Sequence, residues 1–131
     1  MAGESDAVVG FSGVADVPFL KILRPGFRHC LIAVCDAGRG GWVVVNPMAH
    51  CTEVIVMPVD PVCPALDVAQ VMAAGGYQTV VTRRGVPPHR LAPVRVFSCV
   101  EAVKRILGRR WPWVLTPWQL YRALLNEKKD L

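Results

Sequence analysis

The sequence predicts an α+β fold, an antiparallel β-sheet packed against helices. Three observations predict it. Short β-branched runs separated by Gly and Pro fill the first two thirds of the chain. The apolar spacing then changes to steps of three and four, as on one face of a helix. Eleven Pro and eleven Gly in 131 residues argue against a purely helical bundle. With 53% hydrophobic and 19% charged residues the chain has material for one core, and its length suits one domain.

Residues 1–17 are small and polar, with Gly3, Gly10 and Gly13, and read as a flexible lead-in to a domain over 18–131. Pro18 to Arg24 is a short apolar stretch closed by a Pro25-Gly26 turn. Three strands follow, His29 to Asp36, Trp42 to Asn46 and Thr52 to Met57. The Gly-rich segment Ala37-Gly38-Arg39-Gly40-Gly41 joins the first two as an antiparallel hairpin. Val62 to Ala74 has helical spacing at Leu66, Ala69, Gln70 and Ala73, with Gly75-Gly76 as a stop. Tyr77 to Thr82 and Leu91 to Phe97 are two more β-rich runs. Val100, Val103 and Leu107 then define one face of a helix that ends at Gly108. Thr116-Pro117-Trp118-Gln119 combines an N-cap, a Pro at the first helical position and a capping-box Gln, so a second helix starts there. Its apolar face is Trp118, Tyr121, Leu124 and Leu125. Trp111, Trp113 and Trp118 read as packing this last helix onto the sheet.

No apolar run reaches the roughly 18 residues of a membrane helix. The first 16 residues lack the charged-then-apolar pattern of a signal peptide. A cytoplasmic or virion-associated protein without a signal peptide is expected. The five cysteines, at 30, 35, 51, 63 and 99, are odd in number and form no C-x-x-C pair. Reduced thiols are therefore expected rather than a disulfide framework. Zinc is not expected either. Cys30 and Cys35 lie an odd number of residues apart on one strand, which sends their side chains to opposite faces. No cofactor is implied. Charge is uneven: residues 1–75 carry four basic and seven acidic groups, a net of −3, and residues 76–131 carry eleven and three, a net of +8. That basic half raises nucleic acid as a partner, but no recognition motif accompanies it, and a solvated helix face with a basic tail is preferred.

The chemistry centres on Cys99. In Ser98-Cys99-Val100-Glu101, Ser98 caps the helix and Glu101 completes the capping box. Cys99 then lies among unpaired N–H groups at the positive end of the helix dipole, where a thiolate is favoured over a thiol. A structural cysteine at a strand–helix junction is the alternative. A nucleophilic cysteine needs a base, and the base an orienting group. Of His29, His50 and His89, His29 is the best base because it opens a strand, and an element end holds a side chain better than a loop does. Asn46, on the neighbouring strand, is the choice for the orienting group, with His50 second. Catalysis turns on whether the His29 ring lies within reach of the Cys99 sulfur.

Arg28-His29-Cys30-Leu31-Ile32-Ala33-Val34, Trp42-Val43-Val44-Val45-Asn46 and Phe97-Ser98-Cys99-Val100-Glu101 stand in the order histidine, polar residue, cysteine. Over roughly residues 27–108 this order resembles the permuted branch of the papain-like cysteine hydrolases. That branch includes circularly permuted relatives of the NlpC-type cell-wall peptidases and the lecithin retinol acyltransferase-like proteins. Two departures stand out: Ser98 where acyltransferase-like members typically have Asn, and the bulkier His29-Cys30-Leu31 where a small residue is usual. The resemblance implies a circularly permuted papain-like fold and a thiol hydrolase, a peptidase or amidase, with Cys99 as nucleophile, His29 as proton shuttle and Asn46 as its orienting partner. It implies a peptide or cell-wall (peptidoglycan) substrate. The alternative is a non-catalytic assembly or binding module on the same fold, such as a phage tail or other virion component whose partner is a larger protein assembly.

Overall fold

The computed structural model describes residues 6–13, 27–35, 41–48, 51–57, 63–85 and 99–129. These form strands β1 (Ala7–Ser12), β2 (His29–Cys35), β3 (Trp42–Pro47), β4 (Thr52–Val56) and β5 (Gln78–Thr82), with helices α1 (Ala65–Ala74), α2 (Cys99–Leu107) and α3 (Pro117–Lys129). The strands make one sheet in the order β4-β3-β2-β1-β5, and every neighbouring pair is antiparallel. The architecture is α+β, as expected. The expected strand at Leu91 to Phe97, the stretch from Pro18 to Arg24, and Ser98, His50 and His89 lie outside the described residues.

The largest difference from expectation is β1. Ala7 to Ser12 falls within the expected lead-in, yet it is an inner strand with Ala7, Val8, Val9 and Phe11 buried. A strand covered on both faces carries a continuous apolar run rather than an alternating one. Here that run is short, made of small residues and interrupted by Gly10, so it has the composition of a linker. Gly10 has a packing reason. A Cβ there lies 2.6 Å from Met72 Cε and 3.2 Å from Tyr77 Cδ1, so glycine lets α1 approach the sheet.

The pleat divides the core in two. Ala7, Val9, Phe11, Cys30, Ile32 and Val80 pack against Val100, Val103 and Leu107 of α2 and Leu120 and Leu124 of α3. The alternate positions Val8, Leu31, Ala33 and Trp42 pack against Ala65, Val68, Ala69 and Met72 of α1. Cys30 belongs to the first core and Cys35 packs on the second, the opposite placement their spacing predicts. The face of α1 is rotated from expectation. Leu66 is 68% exposed, and of the expected positions only Ala69 is buried. The sequence run there is apolar almost all round, so its spacing alone does not select a side.

Helix α2 ends in a Schellman motif. Gly108 has φ of +76°, its N–H bonds to the Arg105 carbonyl, and the Arg109 N–H bonds to the Lys104 carbonyl. Helix α3 starts with the predicted capping box: Gln119 N–H donates to Thr116 Oγ1 at 3.3 Å, and Thr116 N–H donates to Gln119 Oε1 at 3.1 Å. Thr116→Ala is expected to cost about 1 kcal/mol in urea unfolding and Thr116→Gly only a few tenths, because glycine leaves the end open to water. Equal losses for the two variants contradict a capping role.

Between α2 and α3, Lys104 is fully buried. Its ammonium pairs with Glu101 at 3.0 Å and donates to the carbonyls of Trp111 at 3.2 Å and Val114 at 2.8 Å. These use all three of its protons. Arg109 makes a two-pronged bond to Glu127, at 3.0 and 2.6 Å, which ties the end of α2 to α3. Of the tryptophans, Trp111 packs against the first core, and the Trp118 ring lies 4.8 Å from Phe27 and stacks on Tyr121. Trp113 instead is 64% exposed. Among the described residues no helix is long and apolar enough to cross a membrane.

Candidate active site

Three elements bring the predicted residues together. Cys99 is the first residue of α2, His29 the first of β2, and Asn46 lies on β3. The pairing of β2 with β3 runs from Cys35↔Trp42 to Ile32↔Val45. One step further sets Leu31 opposite Asn46, so His29 is the diagonal neighbour of Asn46 on the same pleat face, within reach of a long side chain. The His29 Nε2 to Asn46 Oδ1 distance is 2.6 Å. Asn46 Nδ2 in turn donates to Glu53 Oε1 on β4 at 3.4 Å. A carboxylate only accepts, so the amide group of Asn46 faces Glu53 and its oxygen faces the ring. With the amide in that orientation, Nε2 donates its proton to Asn46 Oδ1.

His29 acts electrostatically on Cys99: its side chain favours the thiolate there, as a hydrogen-bonding group and as a positive charge. Cys99 is half-buried and packs on the α2/α3 side of the sheet. Its pKa is lowered to about 5. The largest cause is a hydrogen bond from the Cys30 thiol; burial opposes the shift, and His29 adds a hydrogen bond and a favourable charge. The Cys30 backbone amide also donates to the sulfur. The same proximity and complete burial push the Cys30 thiol well above the ordinary range. The protons are thus divided: Cys30 keeps its own, and Cys99 gives up its proton.

Cys30 is the site residue that sequence reasoning missed. It appeared there as a bulky residue in a histidine motif and as a rejected zinc ligand. The reason is alternation: a reading that aims His29 at Cys99 sends the next residue to the opposite face, whereas Cys30 belongs to the core on the α2 side. Glu53, one step beyond Asn46, carried no sequence signal beyond its place on the next strand. His50, second choice for the orienting role, lies outside the described residues, and Asn46 occupies that position against His29. Glu101 pairs with Lys104 at 3.0 Å and Arg105 at 3.5 Å; the capping box expected with Ser98 lies outside the described residues.

Chemically, the arrangement joins an ionised sulfur, an imidazole with a fixed tautomer and an amide that fixes it. These are the parts of a nucleophile, a general base and its orienting group. Comparison of this chain with protein-family models, with curated proteins and with solved structures finds no match.

Proposed function

We propose that this protein is a small cysteine hydrolase, a peptidase or amidase of the permuted papain-like kind. One observation supports the proposal: His29, whose Nε2 lies 2.6 Å from Asn46 Oδ1, also favours the thiolate of Cys99, whose pKa is lowered to about 5. The Cys99 thiolate adds to a carbonyl carbon. The Cys99 backbone N–H, at a helix start and without an intrahelical acceptor, is the donor proposed for the resulting oxyanion. The proton on His29 passes to the leaving amine as the C–N bond breaks, leaving an acyl-thioester on Cys99. Water then attacks the thioester, gives its proton to His29, and the acid leaves as the thiolate re-forms.

A second reading, a non-catalytic assembly module on the same fold, has one observation in its favour. The edge strand β4 exposes Val54, Ile55 and Val56, at 66%, 45% and 74%.

One experiment separates the two. With p-nitrophenyl acetate as the simplest acyl donor, a hydrolase releases a burst of about one p-nitrophenolate per chain and gains about 42 Da on the Cys99 peptide. His29→Ala is expected to slow both acylation and its decay about 10²- to 10⁴-fold, the usual range for a general base. An assembly module forms no acyl-thioester at Cys99, and that result removes the hydrolase proposal.

A further inference from the structure

Asparagine is an ambivalent partner for a histidine. Its amide has a donor end and an acceptor end, and half a turn about the last side-chain bond exchanges them with little change of shape. With Oδ1 toward the ring, the amide accepts from Nε2–H; with Nδ2 toward it, the amide donates to an unprotonated Nε2. The 2.6 Å contact between His29 and Asn46 therefore fixes the ring only while something else fixes the amide. Glu53 is placed to do so. It stands directly opposite Asn46 in the register of β3 and β4, so the two side chains leave the same face of the sheet about 5 Å apart. Asn46 Nδ2 donates to Glu53 Oε1 at 3.4 Å. A carboxylate offers no proton, so the reversed amide sets oxygen against oxygen.

We propose that Glu53 is a positioning residue of this site: acting through Asn46, it keeps the amide oxygen on His29 and thereby keeps the proton of the neutral ring on Nε2. The dependence runs across three adjacent strands, from Glu53 on β4 through Asn46 on β3 to His29 on β2, and each link is a hydrogen bond. Neither Asn46 nor Glu53 alone sets the tautomer; the pair does. The proposal rests on the hydrolase reading only for its consequence. A base works through its unprotonated nitrogen, and a ring held in the wrong tautomer presents a proton where it should accept one. The placing of the proton itself does not depend on what the site does. Other groups bear on the ring as well. Cys99 acts on it from α2, Ser12 on β1 is its register partner, and Arg28 precedes it in the chain. Of these, the Cys99 thiolate competes for the ring proton, so the test removes it.

The test reads the tautomer from the nitrogen-15 resonances of the neutral His29 ring in a Cys99→Ala background, with the His29 signals assigned by their loss in His29→Ala. With Glu53 intact, the proton is expected on Nε2. Glu53→Lys sets a donor opposite Asn46 in place of an acceptor, so the amide turns and the proton moves to Nδ1. Each preference is expected to be about tenfold, the low end for a hydrogen bond to a charged group. Glu53→Lys/Asn46→Asp is expected to return the proton to Nε2, because a carboxylate shows the ring an acceptor whichever way it is turned. Glu53 is exposed, so these substitutions leave the core intact, and a merely structural role at the sheet edge leaves the tautomer unmoved. Retention of Nε2–H in Glu53→Lys overturns the proposal, as does retention of Nδ1–H in the double variant. The acylation experiment, run with Cys99 present, is read separately. A tautomer that inverts in a protein forming no acyl-thioester keeps the role of Glu53 and removes the hydrolase. Acylation together with an immobile tautomer does the reverse.

Discussion

Alkylation of Cys99 in the wild-type protein is expected to rise through a midpoint near pH 5 and then level off, where an ordinary cysteine is still climbing tenfold per unit at neutral pH. The sign follows from the direction of the shift. Below the midpoint the sulfur is protonated and unreactive; above it the thiolate is present in full, so further alkali adds nothing. At about pH 6 Cys99 carries on the order of 300 times the thiolate fraction of a thiol with a pKa of about 8.5. A less basic thiolate is also a weaker nucleophile, by roughly 30-fold over that interval. The net expectation is that Cys99 reacts about ten times faster than an ordinary exposed thiol at about pH 6 and loses that lead by about pH 9. His29→Ala is expected to move the midpoint upward by more than about one unit, through loss of both a hydrogen bond and a positive charge. Mass spectrometry of the five cysteine peptides after timed labelling reads all of this at once. Equal labelling of all five at about pH 6 contradicts an activated Cys99.

The second large effect lies away from the reactive sulfur. Lys104→Met is expected to destabilise the fold by about 3–5 kcal/mol, the range for breaking a buried pair from one side. The substitution removes the buried cation from the Glu101 carboxylate, leaving the half-exposed Arg105 as its cation among the described residues, and removes the donor shared by the Trp111 and Val114 carbonyls. For a domain of this size the melting temperature falls by roughly 10 °C or more. Lys104→Arg is not a conservative rescue, because a planar guanidinium does not fit the site of a compact, fully buried ammonium. Lys104→Met/Glu101→Leu is expected to recover part of the loss, since no charge is then stranded, but the two carbonyls still lack their donor. A loss under about 1 kcal/mol for Lys104→Met contradicts the account, since it is the value of an exposed pair. Because α2 carries Cys99 at its other end, the same variant is expected to loosen the site before it unfolds the chain.

Much of this arrangement was legible in the sequence, and the legible parts share a property. The strands from His29 to Met57 and the start of α3 at Thr116 are set by local chemistry: β-branched runs ended by Gly or Pro, and a cap whose partners are three residues apart. His29, Asn46 and Cys99 were legible because element starts and neighbouring strands of a hairpin are local features too. What was not legible depends on the other side of the sheet. Strand β1 looks like a linker until β2 and β5 flank it. The face of α1 is decided by the cluster it joins with Val8, Leu31, Ala33 and Trp42 of the sheet rather than by the spacing of Leu66 and Ala73. Cys30 acquires its role from a residue far along the chain. The sequence located the lowered pKa of Cys99 in the helix start, whereas the largest contribution comes from the Cys30 side chain.

The inner position of β1 also sets an order in time. Strands β2, β3 and β4 pair with their neighbours in the chain, so that meander closes only short loops. Strand β1 is made first, but its second edge stays open until Val80 arrives to pair with Val9. At ribosomal rates of about 5–20 residues per second, that is a wait of several seconds with an apolar, unpaired strand edge in the solvent. The slowest step in assembling the sheet is then this long-range closure, and the strand most exposed to a wrong neighbour meanwhile is the one that ends up most deeply enclosed.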